Sequence, residues 1–253
     1  MKMLGCSVQQ RLRALQARMV PLERLLDAFT ADLGPPLAYH SGQVHFGFRY
    51  AKPDERHFCL LKCARAVSAL NGALVLAEQG YCQEIAVLIR TSIECTTHVK
   101  YVLDGSEKDG RLKDDVKKYL EEYFADFARN SPSDFKRTRI RQGEVHDVVG
   151  DDLKSFAPYG QDPSRLMSNV YLTFSNYVHA RYPEVMDMYG GIPGHFHFRG
   201  MAGTPKDFEN LAIIDEFITD VSNTMKLLVL QLKMKKLLGH DKILGKWFDE
   251  LRQ

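Results

Sequence analysis

Residues 81–104, YCQEIAVLIRTSIECTTHVKYVLD, decide how the rest of the chain is read. At about 100° per residue, Ile85, Leu88, Ile89, Ser92, Thr96, Val99 and Leu103 fall on one side and predict a broad core-facing stripe. Glu84, Thr91, Glu94 and His98 gather on another side, with Arg90 and Tyr101 beside them. Carboxylate, guanidinium, hydroxyl and imidazole groups can satisfy one another in a half-buried network, whereas a solvated face would carry more lysine.

Outward from this helix, the preceding stretch opens with Pro53-Asp54-Glu55, a helix-start signal. It predicts a helix from about Asp54 to Gln79, ended by Gly80. Its apolar and small positions (Phe58, Leu61, Cys63, Ala66, Leu70, Ala73) suit close packing against a neighbour. The two helices should form an antiparallel hairpin. Before them, Leu12, Leu15, Met19, Leu22, Leu26, Phe29 and Leu33 predict an amphipathic helix with a start or kink near Pro21. Residues 37–52 alternate in a strand period, through Val44, Phe46, Phe48 and Tyr50, and predict an extended loop or small hairpin over the bundle.

After the hairpin, residues 107–129 predict a charged surface helix with one apolar stripe. Residues 135–156 are poor in apolar groups, basic first and acidic afterwards, and read as a mobile or surface helix broken at Gly143 or Gly150. Residues 163–181 resume a helix whose second stripe, Arg165, Asn169, Thr173, Asn176 and His179, carries no acidic residue. The stretch YGGIPGHFHFRGMAGTP, 189–205, predicts a long loop, and about 207–238 a long closing helix before a short one around Trp247.

Composition bounds the rest. The chain has 253 residues, is 45% hydrophobic, and has a net charge of +2. Such near-neutrality gives no global field favouring nucleic acid or a membrane. No run approaches the ~20 apolar residues of a spanning helix. Five cysteines, four of them in apolar helical patterns, read as reduced core residues of a cytoplasmic protein. His195 and His197, with His179, Glu184 and Asp187 nearby, lack a third ligand at a defined spacing, so no metal is expected. No phosphate loop, dinucleotide fingerprint or nucleophile elbow is present, and no cofactor is expected. The fold class is all-α: a single-domain helical bundle of about seven or eight helices with a long central helical hairpin, its central part at 54–190 flanked by an N-terminal helix and covering loop over 1–53 and by closing helices over 205–253.

The spacing Gly80, Glu84, Leu88, Arg90, Glu94, together with Ser175-Asn-Tyr-Val-His179, resembles a set of all-helical bacterial proteins of unknown function. Those proteins distantly resemble the HEPN group (higher eukaryote and prokaryote nucleotide-binding), which includes dimeric ribonucleases of toxin and phage-defence systems. The HEPN ribonucleases carry an arginine, four to six residues, then a histidine. Arg141 and His146 match that spacing, as does Arg139 with six intervening residues; Gln142 departs in part from the family's preference after the arginine. The resemblance implies a metal-independent ribonuclease, or an inactive relative, acting as a homodimer. His146 would activate the 2′-hydroxyl and Arg141 would stabilise the phosphorane, chemistry suited to those groups. A second candidate site is Arg90, Glu94 and His98 facing His179, with Arg165 and Asn176 as further binding residues. The competing class is a non-enzymatic binding or scaffold module that uses this polar groove for a partner protein or small ligand.

Overall fold

The computed structural model describes residues 7–41, 44–106, 111–125, 163–189, 195–239 and 241–250. Among them are eight α-helices and one two-stranded sheet. The helices are α1 (Val8–Leu33), α2 (Glu55–Ala77), α3 (Cys82–Asp104), α4 (Asp114–Phe124), α5 (Pro163–Val178), α6 (Tyr182–Met186), α7 (Lys206–Gln231) and α8 (Lys242–Asp249). The strands β1 (Leu37–Ser41) and β2 (Val44–Arg49) pair antiparallel, with a register irregularity between Tyr39 and His40. The expected small hairpin is formed, and the chain is an all-α bundle around the α2–α3 hairpin.

The helix boundaries have local causes. Ser7 caps α1 through a capping box with Gln10. Asp54 caps α2, accepting the backbone N–H groups of Arg56 and His57. Of the start or kink expected near Pro21, a start is not observed: α1 is one continuous helix of 26 residues with Pro21 buried inside it. Packing of the flanking Met19, Leu22 and Leu25 into the core outweighs the lost hydrogen bond. The closing helix stops earlier than expected, at Gln231. Lys233 then adopts a φ of 53° and a 3-10 turn follows over Lys235–Leu238.

One apolar core joins α1, α2, α3, α4, α7 and α8. The predicted stripe of α3 faces the core, with Ile85, Ile89, Ser92, Thr96, Val99 and Leu103 buried and Leu88 partly buried against it. Thr96 donates to Asp220 of α7 at 2.8 Å and Lys100 pairs with the same carboxylate at 2.6 Å, which fixes α3 against α7. Helix α2 is long and apolar enough to cross a membrane, with a mean hydropathy of 1.5 over its best window, contrary to the expectation that no stretch is. Half of that window is buried in the bundle, where α2 supplies Phe58, Ala66, Leu70 and Ala73 to the core.

The end of α1 is pinned electrostatically. Asp32 accepts from both Arg56 of α2 and Lys236 of the 3-10 turn, the latter at 2.7 Å. Hydrogen bonds from Lys236 and Arg56 hold the Asp32 carboxyl below the usual range, against a smaller desolvation effect. A depressed folded pKa contributes stability above the unfolded value of about 3.9, which is lost as pH falls through the folded value. Asp32→Asn is therefore expected to lower stability at pH 7 and to flatten the acid-side decline below about pH 4 in urea titrations. An unchanged acid limb would show that the pair contributes nothing.

Candidate functional site: the α3–α5 seam and the cluster at its end

Helix α5 lies along α3 in the opposite direction. Arg90 meets Tyr171, and Gln83, seven residues earlier, donates to the Glu184 carbonyl beyond the end of α5 at 2.5 Å. The middle of the seam is a clamp on Arg90. Its guanidinium donates to Glu94 one turn on and to the Tyr171 hydroxyl, and its centre stands 4.1 Å from the Tyr171 ring centroid. The Arg90 side chain is 19% exposed, and its Nε is buried without an acceptor among the described residues. Position along α3 explains the pairing with Glu94, since four residues return the chain to the same face.

Antiparallel packing separates the residues expected to converge. His98 lies eight residues past Arg90, and His179 lies eight past Tyr171 in the opposite direction. At 1.5 Å per residue they stand about 24 Å apart along the seam. Arg90, Glu94 and Tyr171 are brought together; His98 and His179 are not. His98 instead packs edge-on to Tyr119 of α4, ring centroids 5.6 Å apart. His179 is exposed just past the end of α5, and Arg165 is exposed near its start. Asn176 donates to Glu184 at 3.2 Å and so ties α5 to α6. Arg141 and His146 lie outside the described residues.

At the N-terminal end of α3 the structure gathers groups that the sequence scatters over more than a hundred positions. The Tyr177 hydroxyl donates to Asp187 at 2.5 Å, and Lys206 approaches the other oxygen of that carboxylate at 3.5 Å while pairing with Glu209 at 2.9 Å. Cys82 donates its thiol to the Met201 sulfur at 3.6 Å. The backbone N–H of His197 donates to the Met188 carbonyl at 2.9 Å, which brings the 195–204 loop to the same end. Glu184 Oε2 and His197 Nε2 are buried without partners among the described residues.

The protonation states at this end do not favour nucleophilic chemistry. Burial, followed by the Asp187 charge, raises the Cys82 thiol pKa, so the sulfur stays protonated although it opens a long helix. Burial and the hydrogen bond to Asp187 raise the Tyr177 phenol in the same way. Burial works against the Lys206 ammonium, but Glu209 and Asp187 outweigh it and hold the amine charged. The other described cysteines are more deeply buried, with Cys63 pushed up to about 12. Among the described residues no three of His, Cys, Asp and Glu converge closely enough to hold a metal ion.

Two glycines dock the loop on the hairpin turn. The Met201 N–H donates to the Gly80 carbonyl at 2.9 Å, and Gly80 and Gly200 take φ values of 72° and 90°. A methyl group on Gly80 would stand 2.6 Å from the Met201 carbonyl carbon, and one on Gly200 would stand 2.9 Å from the Gln79 carbonyl carbon. The spacing that begins at Gly80 thus starts at a point of close backbone approach. The sequence marks Gly80 as a helix stop and as the first residue of that spacing, not as a docking point. The glycine density of 189–205 was the available signal, but it did not name the partner.

No family model matches this chain, and no curated protein or solved structure does.

Proposed function

We propose that this chain is a non-enzymatic helical binding module, an inactive relative in the HEPN-like class rather than a nuclease acting through the α3–α5 seam. One observation carries the reading: Arg90, the cation best placed in the seam, is already engaged by Glu94 and stacked on Tyr171, and neither histidine joins it. A catalytic cation must be free to meet charge as it develops on the phosphorus, and a base must stand within reach of the proton it takes. The seam is supported instead as a fixed polar strip, its Arg90 held by Glu94 and Tyr171, that sets helix register and offers its outer edge, including Arg165, to a partner protein or small ligand. A homodimer in the cytoplasm, serving a bacterial defence or stress response, belongs to the same proposal.

A second reading has its own support. The Arg141–His146 spacing matches the HEPN ribonucleases, so RNA cleavage would run through that pair rather than the seam. Incubation of the purified chain with total RNA and labelled tRNA in EDTA, beside His146→Ala and His179→Ala, separates the two. The binding-module reading expects no cleavage above buffer by folded protein. Cleavage lost only in His146→Ala would replace it with the ribonuclease, and cleavage lost only in His179→Ala would place chemistry at the end of α5.

A further inference from the structure

A recess lies on the far side of α7 from α3. Asp220 of α7 faces α3, whereas Ile218, Thr219, Ser222, Asn223 and Lys226 turn toward α1 and α8 and line a cleft of about 670 Å³. That volume lies within the range of small-molecule sites, roughly 300–1,000 Å³. The charged lining is one-sided: Arg18, Lys226, Lys242 and Lys246 face a single carboxylate, Glu250.

Lys226 is the unusual member. It is 5% exposed and has no ion-pair partner among the described residues. Its ammonium stands 4.8 Å from the centroid of Trp247, whose indole N–H is fixed by donation to Ser222 at 2.8 Å. A ring face compensates a buried cation only in part, and burial lowers the amine pKa despite Glu250. Lys242 and Lys246 stand exposed one turn apart on α8, also without ion-pair partners among the described residues. Arg18 differs, being paired with Asp215 and donating to Thr219. Three lysines without ion-pair partners among the described residues thus line one cleft, beside an apolar wall formed by Ala17, Pro21, Ile218 and Ile243.

We propose that the cleft between α1, α7 and α8 binds a small organic phosphate, with its dianion on Lys226, Lys242 and Lys246 and its apolar body against Pro21, Ile218 and Ile243. Charge density selects the class. Several lysines lining one cleft favour a compact dianion over a single carboxylate, since each ammonium that reaches it contributes a charge-assisted hydrogen bond. The site is separate from the α3–α5 seam, so neither outcome of the RNA assay bears on it.

The test is calorimetric titration of the full chain with phenyl phosphate, inorganic pyrophosphate, benzoate and phenol at matched ionic strength. Phenyl phosphate and pyrophosphate are expected to bind, benzoate at least about tenfold more weakly, and phenol not at all. Lys242→Gln/Lys246→Gln alters only exposed side chains and keeps the fold. It should weaken both phosphates by about tenfold or more. Lys226→Met, which removes a buried charge while keeping an apolar stem of similar length, should abolish the binding. Absence of binding, binding undiminished in the double variant, or benzoate binding as tightly as phenyl phosphate would each overturn the assignment.

Discussion

Gly200→Ala is expected to destabilise the docked 195–204 loop by about 3 kcal/mol or more and to open it to protease. Two costs combine. A residue with a side chain held at a φ of 90° carries strain of about 1–3 kcal/mol. The new methyl also meets the Gln79 carbonyl, a backbone group that can withdraw only if the α2–α3 turn shifts, and overpacking of this kind costs about 1–3 kcal/mol. Gly203→Ala is the internal control. Its φ of 81° is equally unfavourable, but nothing lies within 4 Å of the added carbon, so the strain alone should remain. Limited proteolysis and urea melts of both variants decide the matter. Equal behaviour of the two would contradict close backbone docking at Gly200.

The second large effect is expected at the other end of the hairpin. Phe58 is fully buried in α2 and meets the rings of Tyr119 and Tyr123 edge-on, with centroids 5.5 and 4.7 Å away. Lys62, one turn on, lies over Phe58 and Tyr123 at 5.5 and 5.0 Å. These contacts hold α4 on the bundle. Phe58→Ala should cost about 3–5 kcal/mol, because the cavity forms where two helices and a half-buried ammonium meet. Phe208, 46% exposed at the start of α7, supplies the comparison: its alanine variant should change stability by less than about 0.5 kcal/mol. The readout is the urea midpoint at constant m-value. A loss below about 1 kcal/mol for Phe58→Ala would mean that α4 does not depend on this aromatic edge.

Much of the fold was legible because local patterns carried it. The buried stripe of α3 follows from its spacing alone, the Asp54 cap from residue type, and the strand alternation from a period of two. No helix starts at Pro21, because its local penalty is outweighed by burial contributed by distant helices. The apolar length of α2 was underread because its small residues pack inside the bundle and raise hydropathy without forming one long aliphatic run. The candidate site was less legible. Arg90 and Tyr171 are 81 residues apart, and Cys82 and Met201 are 119 apart. Sequence spacing says nothing about pairings made by helix direction. It placed Arg90, Glu94, His98 and His179 on polar faces, but only the antiparallel run of α5 on α3 parts the two histidines. Lys226 shows the same limit: within α7 it looks like an ordinary surface lysine until α8 closes over it.

Arg90 is held in the seam by Glu94 and Tyr171 rather than standing ready for chemistry. A double-mutant cycle on Arg90 and Tyr171 tests it most directly. Arg90→Met and Tyr171→Phe remove the charge and the hydroxyl with little loss of volume, and urea denaturation gives the stability of the parent, both single variants and the pair. Residues that share a charge-assisted hydrogen bond are expected to couple by about 1–2 kcal/mol. Coupling in that range supports a fixed structural clamp. Coupling within about 0.3 kcal/mol of zero would contradict it and leave Arg90 free to meet a substrate.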